Sequence, residues 1–207
     1  MIKKIILGIL AVVLVGGIAA YFYFTAGNEH YPEILATRRI APDFTATDQH
    51  GQELNLAELR RKGPVVLIFY RGLWCPACQQ HLGELQASLN QFVEKGASVV
   101  AVTPELTEST VANVPTQSTS ISIVHDQGYR IMESYQVGYQ LGKGSQRLFG
   151  VMGIDLEAAN GNSQNTLPIP ALFVINQAGE ITFAYEKAGG LVPSYLPVSD
   201  ILDKLSE

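Results

Sequence analysis

The sequence predicts an α/β fold: a mixed β-sheet flanked by helices and preceded by one N-terminal transmembrane helix. Three observations lead there. An uncharged run from Ile5 to Phe24 follows Lys3 and Lys4. Apolar, β-branched runs at Val65–Tyr70, Ala97–Thr103 and Ala171–Ile175 alternate with stretches of helical character. Crossovers join parallel strands and a tight hairpin adds an antiparallel one, so the sheet is mixed. The composition supplies a core, since 47% of the 207 residues are hydrophobic and 16% charged. A net charge of -5 and a pI near 5.4 argue against a surface for nucleic acid or anionic lipid.

Taken in order, Ile5–Phe24 is long enough as a helix to span about 30 Å, one hydrocarbon core. The cluster Tyr21-Phe22-Tyr23-Phe24 suits an interfacial belt. A cleaved signal peptide is the competing reading, but its apolar core is shorter, about 7–15 residues, and ends at small residues. Here Ile18-Ala19-Ala20 runs straight into bulky aromatics. Residues 1–25 therefore read as an anchor and 26–40 as a tether. Lys3 and Lys4 precede the span and Glu29 and Glu33 follow it, so the positive-inside rule places the domain outside. For a bacterial cell that is a single-pass protein of the inner membrane, its domain facing the periplasm or the extracellular side. Such a compartment is oxidising, so a dithiol there needs an electron source.

The domain occupies residues 41–206. Ala41–Ala46 and Glu53–Leu56 flank the turn Asp48-Gln49-His50-Gly51, a short hairpin. Leu56–Arg61 forms one helical turn, and Gly63-Pro64 breaks the chain before the buried strand Val65–Tyr70. Gln79–Phe92 reads as a helix, Ala97–Thr103 as a strand, Thr107–Val114 as weakly helical, Ile121–Val124 as a short strand and Tyr129–Tyr135 as a helix. Gly142–Asn165 is rich in Gly, Asn and Ser and reads as a long surface loop. Ala171–Ile175 and Glu180–Tyr185 pair across Asn176-Gln177-Ala178-Gly179, and Val198–Leu205 closes the chain as a helix.

The only two cysteines, Cys75 and Cys78, stand in a C-x-x-C spacing between the central strand and the next helix. Unpaired N–H groups and the positive end of the helix dipole favour a thiolate there; C-x-x-C cysteines at helix starts titrate at roughly 3.5–7.5. Pro76 suits the first helical turn, where its missing N–H costs nothing. Zinc needs about four ligands, and His81 extends the motif to C-x-x-C-x-x-H with no second ligand pair, so no metal is expected. Covalent haem requires His directly after the second cysteine, where Gln79 stands, and no other cofactor is indicated. A purely structural bridge this short restricts the unfolded chain little. Redox chemistry is what remains. Cys75, at the more exposed end of the motif, is the expected nucleophile, and Cys78, one turn on, the resolving thiol. Trp74 reads as a lid or as core packing beside the pair. His81 reads mainly as a solvated helix residue.

From about Ile40 to Leu205 the chain resembles the thioredoxin-fold family of alkyl hydroperoxide reductases and thiol-specific antioxidants, the peroxiredoxin-like proteins. The residues that carry the resemblance are Ala41-Pro42-Asp43-Phe44, Phe69-Tyr70-Arg71-Gly72 with Trp74-Cys75-Pro76-Ala77-Cys78, and Leu167-Pro168-Ile169-Pro170-Ala171. The resemblance implies a thioredoxin-like fold. It implies that Ile169-Pro170 is a cis peptide facing the cysteines, with Trp74, Pro76, Arg71, Ile169 and Pro170 lining the substrate site. It also implies reduction of hydroperoxides at the expense of thioredoxin or another thiol/disulfide donor.

The sequence departs from that family as well. In the peroxiredoxin pattern P-x-x-x-T-x-x-C, the Pro and Thr positions before Cys75 hold Ile68 and Gly72; before Cys78 they hold Arg71 and Cys75. No arginine follows Arg147, and Arg71 is either its substitute or a solvated charge on a turn. The acid that thioredoxins bury under the motif is replaced by Phe69. Two functions stay open: a hydroperoxide-reducing enzyme, or a reductase of protein disulfides like the membrane-tethered thioredoxins of cytochrome maturation. A non-redox binding module is set aside by the intact cysteine pair.

The anchor is testable directly. Protease added to intact spheroplasts is expected to digest the domain. Protection until lysis would refute the orientation, and recovery in the soluble periplasmic fraction would refute the anchor.

Overall fold

The computed structural model describes residues 6, 8, 12–20, 31–108, 121–187 and 193–206. Its centre is a five-stranded sheet of order β5-β4-β3-β8-β9. The strands are β3 (Val65–Phe69), β4 (Ser98–Thr103), β5 (Ser122–His125), β8 (Ala171–Ile175) and β9 (Ile181–Glu186). β3 runs parallel to β4, and β4 to β5; β8 is antiparallel to both β3 and β9. The mixed sheet of a thioredoxin-like fold is therefore present. Its hairpin β8–β9 turns at Asn176–Gly179, where Asn176 Oδ1 accepts from the Glu180 N–H at 2.9 Å.

β3 sits in the middle because every one of its side chains is fully buried, which only a strand covered on both faces allows. Each such side chain contributes about 1.5–3 kcal/mol by leaving water. Its residues alternate between two cores. Val65, Leu67 and Phe69 join Val100, Val102, Phe173 and Ile175 on one face. Val66, Ile68 and Tyr70 join Val99, Ala101, Leu172 and Val174 on the other.

The first face is covered by α1 (Leu56–Lys62), by β2 (Glu53–Asn55) of the hairpin it forms with β1 (Thr45–Thr47), and by α4 (Arg130–Ser134). Asn55 caps α1 by accepting from the Glu58 N–H, and Asp126 caps α4 through the Ile131 and Met132 N–H groups. The second face is covered by α2 (Pro76–Ala87), α3 (Leu89–Glu94) and α7 (Val198–Lys204). The expected helix Gln79–Phe92 thus starts at Pro76 and bends at Ser88, so that Leu85, Leu89 and Phe92 all reach the sheet.

The segment 142–165, expected as a long loop, carries two helices, α5 (Lys143–Val151) and α6 (Leu156–Asn160). α5 is amphipathic, with Phe149 turned inward, but its Gly and Ser content reads as loop; α6, five residues long, is too short to show a period. α6 is defined by its ends, an Asp155 cap onto the Ala158 N–H and Gly161 in the left-handed conformation. Two short strands, β6 (Gly138–Gln140) and β7 (Thr166–Pro168), flank this segment and pair with each other. Together they build a third apolar cluster of Tyr139, Leu141, Phe149, Leu156, Leu167 and Ile169.

Residues 31–40, within the segment read as a tether, lie against the domain. Leu35 enters the first core, and Arg38 and Arg39 exchange backbone bonds with Ile181. Residues 12–20 are helical, and their side chains Val12, Val13, Leu14 and Val15 are 65–73% exposed. No helix among the described residues is long and apolar enough to cross a membrane; part of the run Ile5–Phe24, including the aromatic cluster at 21–24, and most of Thr107–Val114 lie outside them.

Where β3 begins, Gly63 passes so close to Gly96 that a Cβ would lie 1.9 Å from the Gly96 carbonyl oxygen. Backbone on both sides leaves nothing flexible to yield. Gly63→Ala is expected to lower the unfolding free energy by about 1–3 kcal/mol in urea titrations. The cysteines lie beyond the opposite end of β3, so their alkylation rate should not change.

Candidate active site

The site is built where β3 ends and α2 begins. The Tyr70 N–H still bonds the Val102 carbonyl at 3.1 Å, extending the sheet one residue past Phe69. The chain then turns through Arg71–Trp74. Gly72 has φ +143, and a Cβ there would strike the Trp74 indole at 2.4 Å, so glycine is required by both backbone and space. Cys75 is the N-cap of α2 with extended dihedrals, and Pro76 is its first residue. The Cys78 and Gln79 N–H groups both bond the Cys75 carbonyl at 3.0 Å.

Both cysteines are free thiols in this structure. Cys75 is 5% exposed and Cys78 not at all, so Cys75 is the more exposed of the two, as expected, through a narrow access. As a thiolate, Cys75 accepts a hydrogen bond from the Cys78 thiol and further bonds from the Cys78 and Ala77 N–H groups, and the Arg71 charge adds to these. Together they outweigh burial and hold its pKa at about 6. Cys78 is pushed far the other way, first by burial and then by the hydrogen bond and charge of Cys75. At neutral pH one sulfur is mostly anionic and its neighbour keeps its proton.

Arg71 is 2% exposed. It is not a solvated charge on a turn, because the loop folds it inward beneath the motif. Trp74 is half-buried and meets Phe149 edge-on at 5.4 Å between ring centroids, which joins the second core to the third cluster. Its Nε1 is buried without a hydrogen-bond partner. Pro76 is exposed beside Cys75. Ile169 is fully buried in the third cluster, where Trp74 also packs. Pro170 lies one step beyond the Phe69–Ala171 pair, level with Tyr70 at the cysteine end of the sheet.

The Ile169–Pro170 bond is trans; among the described residues no peptide is cis. The flanking bonds account for this correction. The Ile169 N–H bonds Val137 O at 2.7 Å and Pro170 O accepts from Lys187 at 3.1 Å. The chain between β7 and β8 is thus tied to its neighbours on both sides of the trans bond.

Two residues of the site, Glu105 and Tyr195, escaped sequence reasoning, and a third, His81, reads as solvated from sequence alone. Glu105, two residues past β4, is buried, and its Oε2 accepts the Leu73 N–H at 2.8 Å. Burial raises its pKa, against the Leu73 and Trp74 N–H bonds that lower it. An acid thus does lie under the motif loop, supplied by the neighbouring strand and not by position 69. A clue was available, since ligand-facing residues in such sheets gather past the carboxyl ends of parallel strands. His81 is not solvated. It is 5% exposed, stacks on Tyr195 at 4.4 Å with the rings 8° apart, and has a buried Nε2 without a partner. Tyr195 places its hydroxyl 3.1 Å from Cys78 Sγ, and nothing local in the sequence marks it. Among the described residues no three His, Cys, Asp or Glu side chains converge as metal ligands would.

A model of the AhpC/TSA family matches residues 37–184. The chain belongs to the AhpC/TSA family. Curated relatives include the thiol-disulfide oxidoreductase ResA of Bacillus cereus, 30% identical over 47% of this chain and 56% of the relative. The match to ResA of Bacillus subtilis is 26% over 84% and 79% of the two chains. The chloroplastic peroxiredoxin Q of Sedum lineare is 28% identical over 46% of this chain and 51% of its own. The chain spans about half the length of the first of these relatives. Among solved structures, the peroxidoxin BcpB of Mycobacterium tuberculosis superimposes with a TM-score of 0.64 at 18% identity, over 83% of this chain and 97% of its own. A mitochondrial 2-Cys peroxiredoxin of Plasmodium falciparum gives 0.61 at 16% identity, over 83% and 92%. At such identities the likeness establishes the fold. With Cys75 aligned on the peroxiredoxin cysteine, Gly72 stands at the threonine position; the Cys75 sulfur here is held by the Cys78 thiol, backbone N–H groups and the Arg71 charge.

Burial lowers the His81 pKa to about 4, against the pull of Glu84 that raises it. An unfolded histidine titrates near 6.5. Between these values the unfolded chain binds a proton that the folded chain refuses, so stability rises with pH through that window and is lost as pH falls. The loss is roughly 2–3 kcal/mol at pH 4. Urea midpoints of wild type and His81→Phe across pH 4–7 check it: the wild type should show the steeper rise. The raised pKa values of Glu105 and Asp126 act with the opposite sign and are common to both proteins.

Proposed function

We propose that the protein is a membrane-anchored thiol oxidoreductase that reduces hydroperoxides through a Cys75–Cys78 dithiol/disulfide cycle. The observation that carries this reading is the opposed charge state of two adjacent sulfurs: a Cys75 thiolate held at a pKa of about 6 beside a protonated Cys78 one turn on. Membership of the AhpC/TSA family supports it. So does the narrow access to Cys75, 5% exposed, which suits a small electrophile better than a folded protein.

The Cys75 thiolate attacks the terminal peroxide oxygen. The O–O bond breaks, the alkoxide leaves and takes a proton, and Cys75 becomes a sulfenic acid. Cys78 then attacks the Cys75 sulfur, and the hydroxyl departs as water with the Cys78 proton. The pair has lost two electrons and the peroxide has gained them. Thioredoxin or another dithiol donor restores the pair by exchange. Arg71 stabilises the attacking sulfur, and Trp74 with Pro76 borders the approach to it. Ile169 and Pro170 act from beneath, as walls. The exposed apolar side chains of helix 12–20 support anchoring, and Lys3 and Lys4 before it favour a domain on the periplasmic or extracellular side.

A second reading is reduction of protein disulfides. It is favoured by the C-x-x-C pair and by relatives named thiol-disulfide oxidoreductases. Peroxide consumption by the full-length protein in detergent, with thioredoxin and its reductase, compared with insulin reduction under the same conditions, separates the two. Faster insulin turnover with no peroxide consumption would overturn the first reading.

The roles of the sulfurs are checked by variants. Cys75→Ser is expected to be inert towards both substrates. Cys78→Ser should react once and stall as a sulfenic acid or mixed disulfide. Mass mapping of the reduced protein after brief iodoacetamide treatment near pH 7 should find the label on Cys75. A first label on Cys78 would reverse the assignment.

A further inference from the structure

Cys78 presents a problem that the dithiol cycle must solve. Its thiol is wholly buried, and burial, the largest effect on it, still disfavours its charged form after the Cys75 charge has been consumed in the first step; yet it must act as a nucleophile in the second step. Thiolates, not thiols, attack. The acid under the motif is not placed for this, since the Glu105 carboxylate bonds the Leu73 backbone.

The group that does reach the Cys78 sulfur comes from the far end of the chain. Residues 193–197 run as a strap across the outer face of α2 before α7 begins. From this strap Tyr195 points inward, with its hydroxyl 3.1 Å from Cys78 Sγ. One face of the ring is stacked on His81, nearly parallel, at 4.4 Å between centroids. A cleft of about 240 Å³ between α2 and the strap runs past Ala77, His81, Glu84, Pro193 and Tyr195. We propose that Tyr195 is a catalytic residue of the resolving step, its hydroxyl donating a hydrogen bond to the Cys78 thiolate as that thiolate forms and attacks.

This deepens the dithiol reading and rests on it, whichever substrate oxidises Cys75. In the thiol state either atom can donate across the 3.1 Å contact; once Cys78 ionises only the tyrosine can. The hydroxyl is suited to donate, because burial first and the neighbouring thiols next keep it protonated well above the ordinary tyrosine range. Its bond to Cys78 lowers the thiol's pKa against the stronger opposing effects. The other groups facing this contact are the Cys75 sulfur, Arg71, which acts on both Cys75 and Tyr195, and His81 with Glu84 in the cleft. When Cys75 carries a mixed disulfide, the Cys78 thiolate attacks the Cys75 sulfur and the Cys75–Cys78 bond forms. The bond to the substrate sulfur breaks, and the departing thiolate ends with the proton Cys78 gave up.

Ellman's reagent with the full-length protein in detergent separates the two steps. Attack by Cys75 releases one thionitrobenzoate, and resolution by Cys78 releases the second. In Tyr195→Phe, which keeps the ring and its stack on His81, the first release should keep its wild-type rate. The second should slow by roughly ten- to a hundredfold near pH 7, as expected for the loss of one hydrogen bond to a charged group, and its pH profile should shift upward. In a Cys78→Ser background, Tyr195→Phe should leave the single remaining release unchanged. A second release at the wild-type rate and pH profile would overturn the proposal. So would equal slowing of both releases, or slowing in the Cys78→Ser background, since either marks a structural role. If the wild type itself gives no second release, it is the dithiol cycle that fails.

Discussion

The structure depends on the hydrogen bonding of one sulfur atom. Cys75 caps α2 without a side-chain partner of the usual kind, and its sulfur instead gathers the Cys78 thiol, two N–H groups and the charge of Arg71. For those donors to converge, α2 must begin at Pro76 and the preceding loop must keep one shape. The central strand supplies the base for that shape. β3 is held on one side by β4 and on the other by β8, buried on both faces, so its last residue cannot shift without disturbing two cores. Glu105 then ties the loop to the end of β4.

Around this sulfur the fold buries an unusual set of polar groups: Arg71, Glu105, His81 and the Tyr195 hydroxyl. Buried polar groups cost free energy unless they are paired, and His81 Nε2 and Trp74 Nε1 are not. That cost gathers partly around the motif and partly at His125 and Asn160, while the clusters on either side of the sheet are almost wholly apolar. That contrast separates the parts of the chain that stabilise the fold from the parts that tune the thiols. The same low-polarity surroundings that hold Cys78 protonated make each remaining hydrogen bond to it count for more.

Much of the frame was legible from short-range pattern. Val65–Phe69 could be read as a buried central strand from its unbroken apolar run, and the β8–β9 hairpin from its Asn-Gln-Ala-Gly turn. Pro76 marked the start of α2. The reading failed at Gly142–Asn165, where a Gly-, Asn- and Ser-rich composition hid the amphipathic α5 and the five-residue α6. It failed also at His81, whose polar neighbours Gln79, Gln80 and Glu84 suggest a wet face. The strap from the far end of the chain covers that face and turns a surface histidine into a buried one.

The sequence by itself determined that two cysteines stand at the junction of a buried strand and a helix, and that the chain carries an apolar N-terminal run. Those facts follow from residue spacing, capping and periodicity, which act over a few residues. Only the tertiary structure decided that Arg71 turns inward, that Glu105 supports the loop, that Ile169–Pro170 is trans, and that Tyr195 meets a sulfur 117 positions away. Such contacts depend on the path of the whole chain around the sheet. No local pattern encodes that path, because the energy that selects it is shared among the cores that every element helps to fill.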